Sequence, residues 1–99
     1  MTETMARIRF YIDPGTELPH IYNHDVTADE VEDILRRPGE DSRGREETRV
    51  AVGQTRNGRY LRVIYVPDEV GDGIFVITAY DLTGKALQAY RRRLRGRQS

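Results

Sequence analysis

The six residues Val26-Thr27-Ala28-Asp29-Glu30-Val31 constrain this chain more than any other stretch of it. Thr27 and Glu30 stand at capping-box spacing: the threonine oxygen can accept from the Glu30 amide while the glutamate reaches back to the Thr27 amide. Val26 and Val31 sit where a hydrophobic staple requires them. Val31, Ile34 and Leu35 then form a buried stripe, and Arg36-Arg37 lie in the last turn, where cations favour the helix dipole. Pro38-Gly39 stops the helix. A short amphipathic helix is therefore fixed at both ends, and the elements around it must supply the surface on which its stripe packs.

Residues 7–12 (RIRFYI) alternate, with Ile8, Phe10 and Ile12 on one face, which predicts a half-buried strand. Asp13-Pro14-Gly15 breaks it. Leu18, Ile21 and Tyr22 follow at helical spacing and predict a helix of about two turns ending near His24-Asp25, since Asp tolerates the left-handed conformation of a helix end. The run Gly39 to Glu47 is polar and charged and predicts a mobile loop. Three strands are expected next. Thr48, Val50 and Val52 alternate with Arg49 and Ala51. Asn57-Gly58 marks the centre of a tight hairpin. In Arg59 to Val66, Leu61, Val63 and Tyr65 oppose Tyr60, Arg62 and Ile64. After a turn over 67–73, Ile74 to Tyr80 is almost continuously apolar, as in a strand covered on both faces. Asp81 or Thr83 can cap a last helix with Leu87, Tyr90 and Leu94 as its stripe. The expected class is α+β, an antiparallel sheet in the order β-α-α-β-β-β-α with helices packed on it.

Ninety-nine residues make one domain, 1–99, with 1–5 and 96–99 expected to fray. The absence of cysteine excludes a disulfide scaffold, a thiolate zinc site and a cysteine nucleophile. No apolar leader or membrane-length run is visible, so a cytoplasmic protein without membrane contact is expected. Sixteen basic and sixteen acidic residues cancel, but unevenly: Thr2 to Asp41 holds ten acids and four arginines, whereas Thr83 to Arg97 holds six bases and no acid. A polyanion responds to that local field rather than to the sum. Zero net charge also leaves little repulsion between copies, which permits a homodimer.

The strings His24-Asp25-Val26-Thr27-Ala28-Asp29-Glu30-Val31, Gly53 to Ile64 and Val76 to Ala79, with a closing helix that carries Tyr90-Arg91-Arg92, resemble the RelE/ParE superfamily of bacterial type II toxins. Within it they resemble the BrnT-type ribonucleases. The likeness spans roughly Leu18 to Arg95. It departs from the family pattern at Tyr80, where an arginine is usual, and at Asn23, where a lysine is usual. The resemblance implies a RelE-like fold, a metal-independent endoribonuclease that cuts mRNA, and a cognate antitoxin that neutralises it, with no cofactor.

Such cleavage uses the substrate's own 2′-hydroxyl as nucleophile, so the protein must supply a base, cations for the phosphate and a proton donor. The catalytic candidates are His24, Arg49 and Tyr80. Candidates for RNA contact are His20, Arg43, Arg45, Arg59, Arg62 and the helix arginines Arg91, Arg92 and Arg93. Two histidines without a third ligand make a poor metal site, so no metal is expected. The alternative from the same residues is a non-catalytic domain that binds nucleic acid or protein and retains the toxin fold.

Overall fold

The computed structural model describes residues 7–69 and 72–98. The capping box forms as the sequence dictates: Thr27 Oγ1 accepts from the Glu30 amide at 3.2 Å, and Glu30 Oε1 accepts from the Thr27 amide at 3.0 Å. It starts helix α1 (Ala28–Arg36), whose Val31 and Ile34 are fully buried. The preceding segment is tighter than expected, a 3-10 turn over His20–His24 in which only Ile21 is buried. Asp25 closes it in the left-handed conformation, φ 59°. Leu18 and Tyr22 stay about half exposed, so the helical spacing seen in the sequence does not make a buried face here.

The sheet has five strands in the order β1-β5-β4-β3-β2: β1 (Ile8–Phe10), β2 (Glu40–Arg43), β3 (Arg49–Gln54), β4 (Tyr60–Pro67) and β5 (Ile74–Asp81). Two expectations are corrected. The sheet is mixed rather than antiparallel, because β1 lies parallel to β5 at one edge. Half of the expected loop over 39–47 is strand: Glu40 to Arg43 pair antiparallel with β3, and a 3-10 turn over Arg45–Glu47 follows. An edge strand is satisfied by one neighbour and needs no apolar face, so its charged composition hides it from a reading of periodicity. After Tyr11, whose amide still donates to Val76 O, the first strand leaves the sheet, and Ile12, expected on its inner face, is half exposed.

The hairpin between β3 and β4 closes with a three-residue loop, Arg56 to Gly58, rather than two residues. Thr55 N donates to Arg59 O, Gly58 N donates to Thr55 O, and Gly58 takes φ 96°, the position in such loops that favours glycine. The loop is pinned to α1 by Arg56, whose Nε donates to Asp33 at 3.0 Å.

Helices cover the two sheet faces unequally. α1 and the 3-10 turn pack Ile21, Val26, Val31 and Ile34 on Ala51, Leu61, Val63, Val76 and Ala79. On the opposite face, helix α2 (Gly84–Gln98) lays Leu87, Tyr90 and Leu94 over Val50, Val52, Tyr60 and Leu82, the stripe read from the sequence. Its first intrahelical bond runs from Leu87 N to Thr83 O, which makes Thr83 the starting residue, while Asp81 ends β5. The helix extends through Gln98. The fraying expected for 1–5 and for residue 99 falls outside the described residues. Among the described residues, no other helix lies on that second face.

Tyr90 reaches under the turn between α1 and β2. A Cβ added to Gly39 would lie 1.8 Å from the Tyr90 hydroxyl oxygen and 2.8 Å from Cζ. Gly39→Ala is accordingly expected to cost about 1–3 kcal/mol by overpacking. Adding Tyr90→Phe, which removes the oxygen, should recover part of that loss in a urea melt. An undiminished midpoint for Gly39→Ala alone would contradict this close approach.

Carboxylates tie the layers together. Burial pushes the Glu30 carboxyl up, but the Thr27 amide and Arg59 outweigh it and hold it below its ordinary range. The Arg93 guanidinium does the same for Glu40, and the Gly15 amide, with Asn23 and His20, for Asp13. Groups depressed in the folded state stabilise it fully above their unfolded values, and that contribution fades as pH falls through the lower folded values. The melting temperature should therefore hold from neutrality to about pH 5 and drop below about pH 4. Glu40→Gln should make that acid fall shallower; an equally steep fall in the variant would remove Glu40 from the account.

Candidate functional site

One irregularity in the sheet decides which side chains meet. Ile64 pairs with Thr78 and Tyr65 with Val76, so Ile77 is an extra residue in β5. Strict alternation from Val76, which faces the α1 core, would send Tyr80 into that core. The bulge instead gives the inward place to Ala79 and turns Tyr80 onto the opposite face, the one that bears α2. Bulges re-aim side chains in this way, at the expense of one ladder pairing.

There Tyr80 stands directly across from Arg62 on β4. Both line an open cavity of about 710 Å³, with Arg45, Thr48, Val50 and Ile64 among its walls. Arg62 Nε and Thr78 Oγ1 are buried in this part of the sheet without a hydrogen-bond partner. Buried polar atoms are nearly always paired, so two unpaired ones on adjacent strands set this part of the sheet apart.

The 3-10 turn brings imidazoles to the same edge. The His24 ring meets Tyr80 edge-on, with centroids 5.8 Å apart. His20, one turn earlier, is 5.4 Å from His24, and Tyr11 is 6.0 Å from His20. The result is an unbroken row of rings, Tyr11, His20, His24 and Tyr80. Its backbone is firmly held. Tyr11 N donates to Val76 O, His20 N to Tyr11 O, and Asp13 N to Leu18 O, each at 2.9 Å. Arg59 holds the far end: its guanidinium donates to Asp25 O at 2.6 Å and to His24 O at 3.3 Å while pairing with Glu30 and Asp81.

Of the residues expected to act together, His20, His24 and Tyr80 form one row of rings, and Tyr80, Arg62 and Arg45 line one cavity. Arg49 is not. It neighbours the cavity-lining Val50 and so points to the opposite side, the one that bears α1, where it pairs with Asp41 at 3.0 Å. Arg43 lies across from Arg49 in the ladder and shares that side. Arg59 is a latch between turn, α1 and sheet rather than an open cation. Arg93 is bidentate on Glu40, at 2.5 and 2.8 Å, and ties α2 to β2. Arg91 rests on the Tyr60 ring, 4.9 Å from its centroid, and Arg92 is exposed on the same helix. For Arg49, Arg59 and Arg93 the cause is the same: the fold brings acids from elsewhere in the sequence beside them.

The sequence reading missed Tyr11 and Asp13. No periodic signal could have exposed them, because they and His20 meet across a folded-back segment rather than along an element. Among the described residues, no three or more His, Asp or Glu side chains group as metal ligands do, and no helix is long and apolar enough to cross a membrane.

Fold and site together define a small α+β domain in which a row of rings ends at Tyr80, across the ladder from Arg62. In comparisons with protein-family models, curated proteins and solved structures, nothing matches the chain.

Proposed function

We propose that the chain is a metal-independent endoribonuclease of the RelE-like toxin class that cuts single-stranded RNA, mRNA in the cell, and is neutralised by a cognate antitoxin protein. The reading is carried by the row His20, His24 and Tyr80, whose last ring stands directly across the ladder from Arg62. The general α+β class, a sheet with a helix on each face, is compatible with the resemblance read from the sequence.

The residues allow a balanced in-line reaction. One imidazole takes the proton of the 2′-hydroxyl, whose oxygen attacks the adjacent phosphorus. Arg62 and Tyr80 bind the non-bridging oxygens as charge grows on them. The bond from phosphorus to the 5′-oxygen breaks, and the second imidazole, entering as imidazolium, gives that oxygen its proton. The products are a 2′,3′-cyclic phosphate and a 5′-hydroxyl. Exposed rings such as Tyr11 offer stacking surfaces to unpaired bases, each interaction contributing about 1–3 kcal/mol. The basic face of α2, with Arg91 and Arg92, suits both the RNA backbone and an acidic segment of the antitoxin.

The test is direct. Pure protein incubated with single-stranded RNA in the presence of a chelator should yield new ends bearing cyclic phosphate, and its expression should arrest growth. Intact RNA together with unaffected growth rejects the reading. A second reading, RNA binding without cleavage, is favoured by the neutralisation of Arg49, Arg59 and Arg93 by Asp41, Glu30, Asp81 and Glu40. It predicts salt-dependent retention of RNA with no new ends.

A further inference from the structure

The two imidazoles of the site differ in one respect. His20 has a carboxylate partner, its Nδ1 lying 3.2 Å from Asp13 Oδ2, whereas the contact shown for the His24 ring beyond His20 is with Tyr80. Asp13 is itself heavily used. Its Oδ1 accepts from the Gly15 amide at 2.7 Å, and its Oδ2 accepts from the Asn23 side-chain amide at 2.7 Å. These donors, the Gly15 amide first, hold the carboxyl below its ordinary range and so keep it ionised near neutrality.

An ionised oxygen facing an imidazole nitrogen at that distance requires hydrogen on the nitrogen, since two lone pairs would repel. The Asn23 nitrogen also lies 3.3 Å from His20 Nδ1. That approach follows from two donors converging on one oxygen, and the Asn23 bond to Asp13 is the shorter of its two contacts. The arrangement thus fixes Nδ1–H and leaves the lone pair on Nε2.

We infer that Asp13 is a positioning residue that holds His20 in the Nδ1–H tautomer and thereby makes His20, rather than His24, the base that takes the 2′-hydroxyl proton. The inference rests on the nuclease reading and assigns roles within it. As His20 becomes imidazolium, Asp13 stabilises the charge without taking the proton, the division of labour of a carboxylate–imidazole pair. His24 is left to protonate the leaving 5′-oxygen.

Nitrogen-15 NMR of the full chain tests the pairing without any variant: neutral His20 should report Nδ1–H, and Asp13→Asn should abolish that preference while the His24 signals stay in place. Cleavage by Asp13→Asn should fall about 10²-fold, with Asp13→Glu recovering part of it. An Nε2–H tautomer for His20 in the unaltered protein, or cleavage by Asp13→Asn equal to that of the unaltered protein, overturns the inference while leaving the nuclease reading intact. RNA left whole by the unaltered protein overturns the nuclease reading and the base role with it, and the tautomer then decides the pairing alone.

Discussion

Arg62→Ala is expected to lower RNA cleavage by about 10²–10³-fold while changing stability little, whereas Arg49→Ala should leave cleavage near its starting rate. The contrast follows from which side of the sheet each guanidinium occupies. Arg62 shares its face with Tyr80, directly across the ladder, and its Nε has no protein partner to lose. Arg49 is on the other face, engaged with Asp41. An exposed pair of that kind contributes about 0–1 kcal/mol, so its loss is a small matter for the fold. Single-turnover cleavage of a short oligoribonucleotide, with melting curves to show that both variants are folded, measures the difference. Equal losses in the two variants, or loss only in Arg49→Ala, would move the site to the opposite face and reject the arrangement described above.

Leu61→Ala should have the largest effect on the fold itself, a loss of about 2–5 kcal/mol. Leu61 is fully buried in β4, within the cluster formed by Ile21, Val31, Ile34, Val63 and Ala79. The surrounding groups are held by the capping box, the Arg59 latch and the sheet ladder, so collapse into the vacated space is restricted and the cavity remains. A domain of this size has a total stability of about 5–15 kcal/mol, so the variant is expected to be partly unfolded at 37 °C. Urea denaturation followed by far-ultraviolet circular dichroism gives the figure. A loss below 1 kcal/mol would mean that Leu61 is not at the centre of the packing. Because the same core seats the 3-10 turn through Ile21 and Val26, the variant should also lose activity at temperatures where it is still mostly folded.

Local signals in the chain were reliable where a single element satisfied itself. The capping box and staple at 26–31, the left-handed Asp25 and the alternation of β4 all follow from contacts within a few residues, and each appears in the structure. His24 and Tyr80, both singled out as candidates in the sequence, lie with ring centroids 5.8 Å apart. Reading failed where partners come from far along the chain. β2 looks like a loop because its acids and arginines carry no apolar period, and only the neighbouring β3 makes it a strand. Arg49, Arg59 and Arg93 look like a cationic surface because the acids that engage them are between 8 and 53 residues away.

What the sequence determines by itself is therefore the set of elements whose stabilising bonds are short in chain distance: where α1 begins, where the hairpin turns, and which residues of β4 and α2 face inward. The tertiary structure alone decides that β1 lies beside β5, that the bulge at Ile77 turns Tyr80 outward, and that Asp13 meets His20. These depend on pairings and packing between distant segments, and an intrinsic preference of one residue for its neighbours carries no information about them.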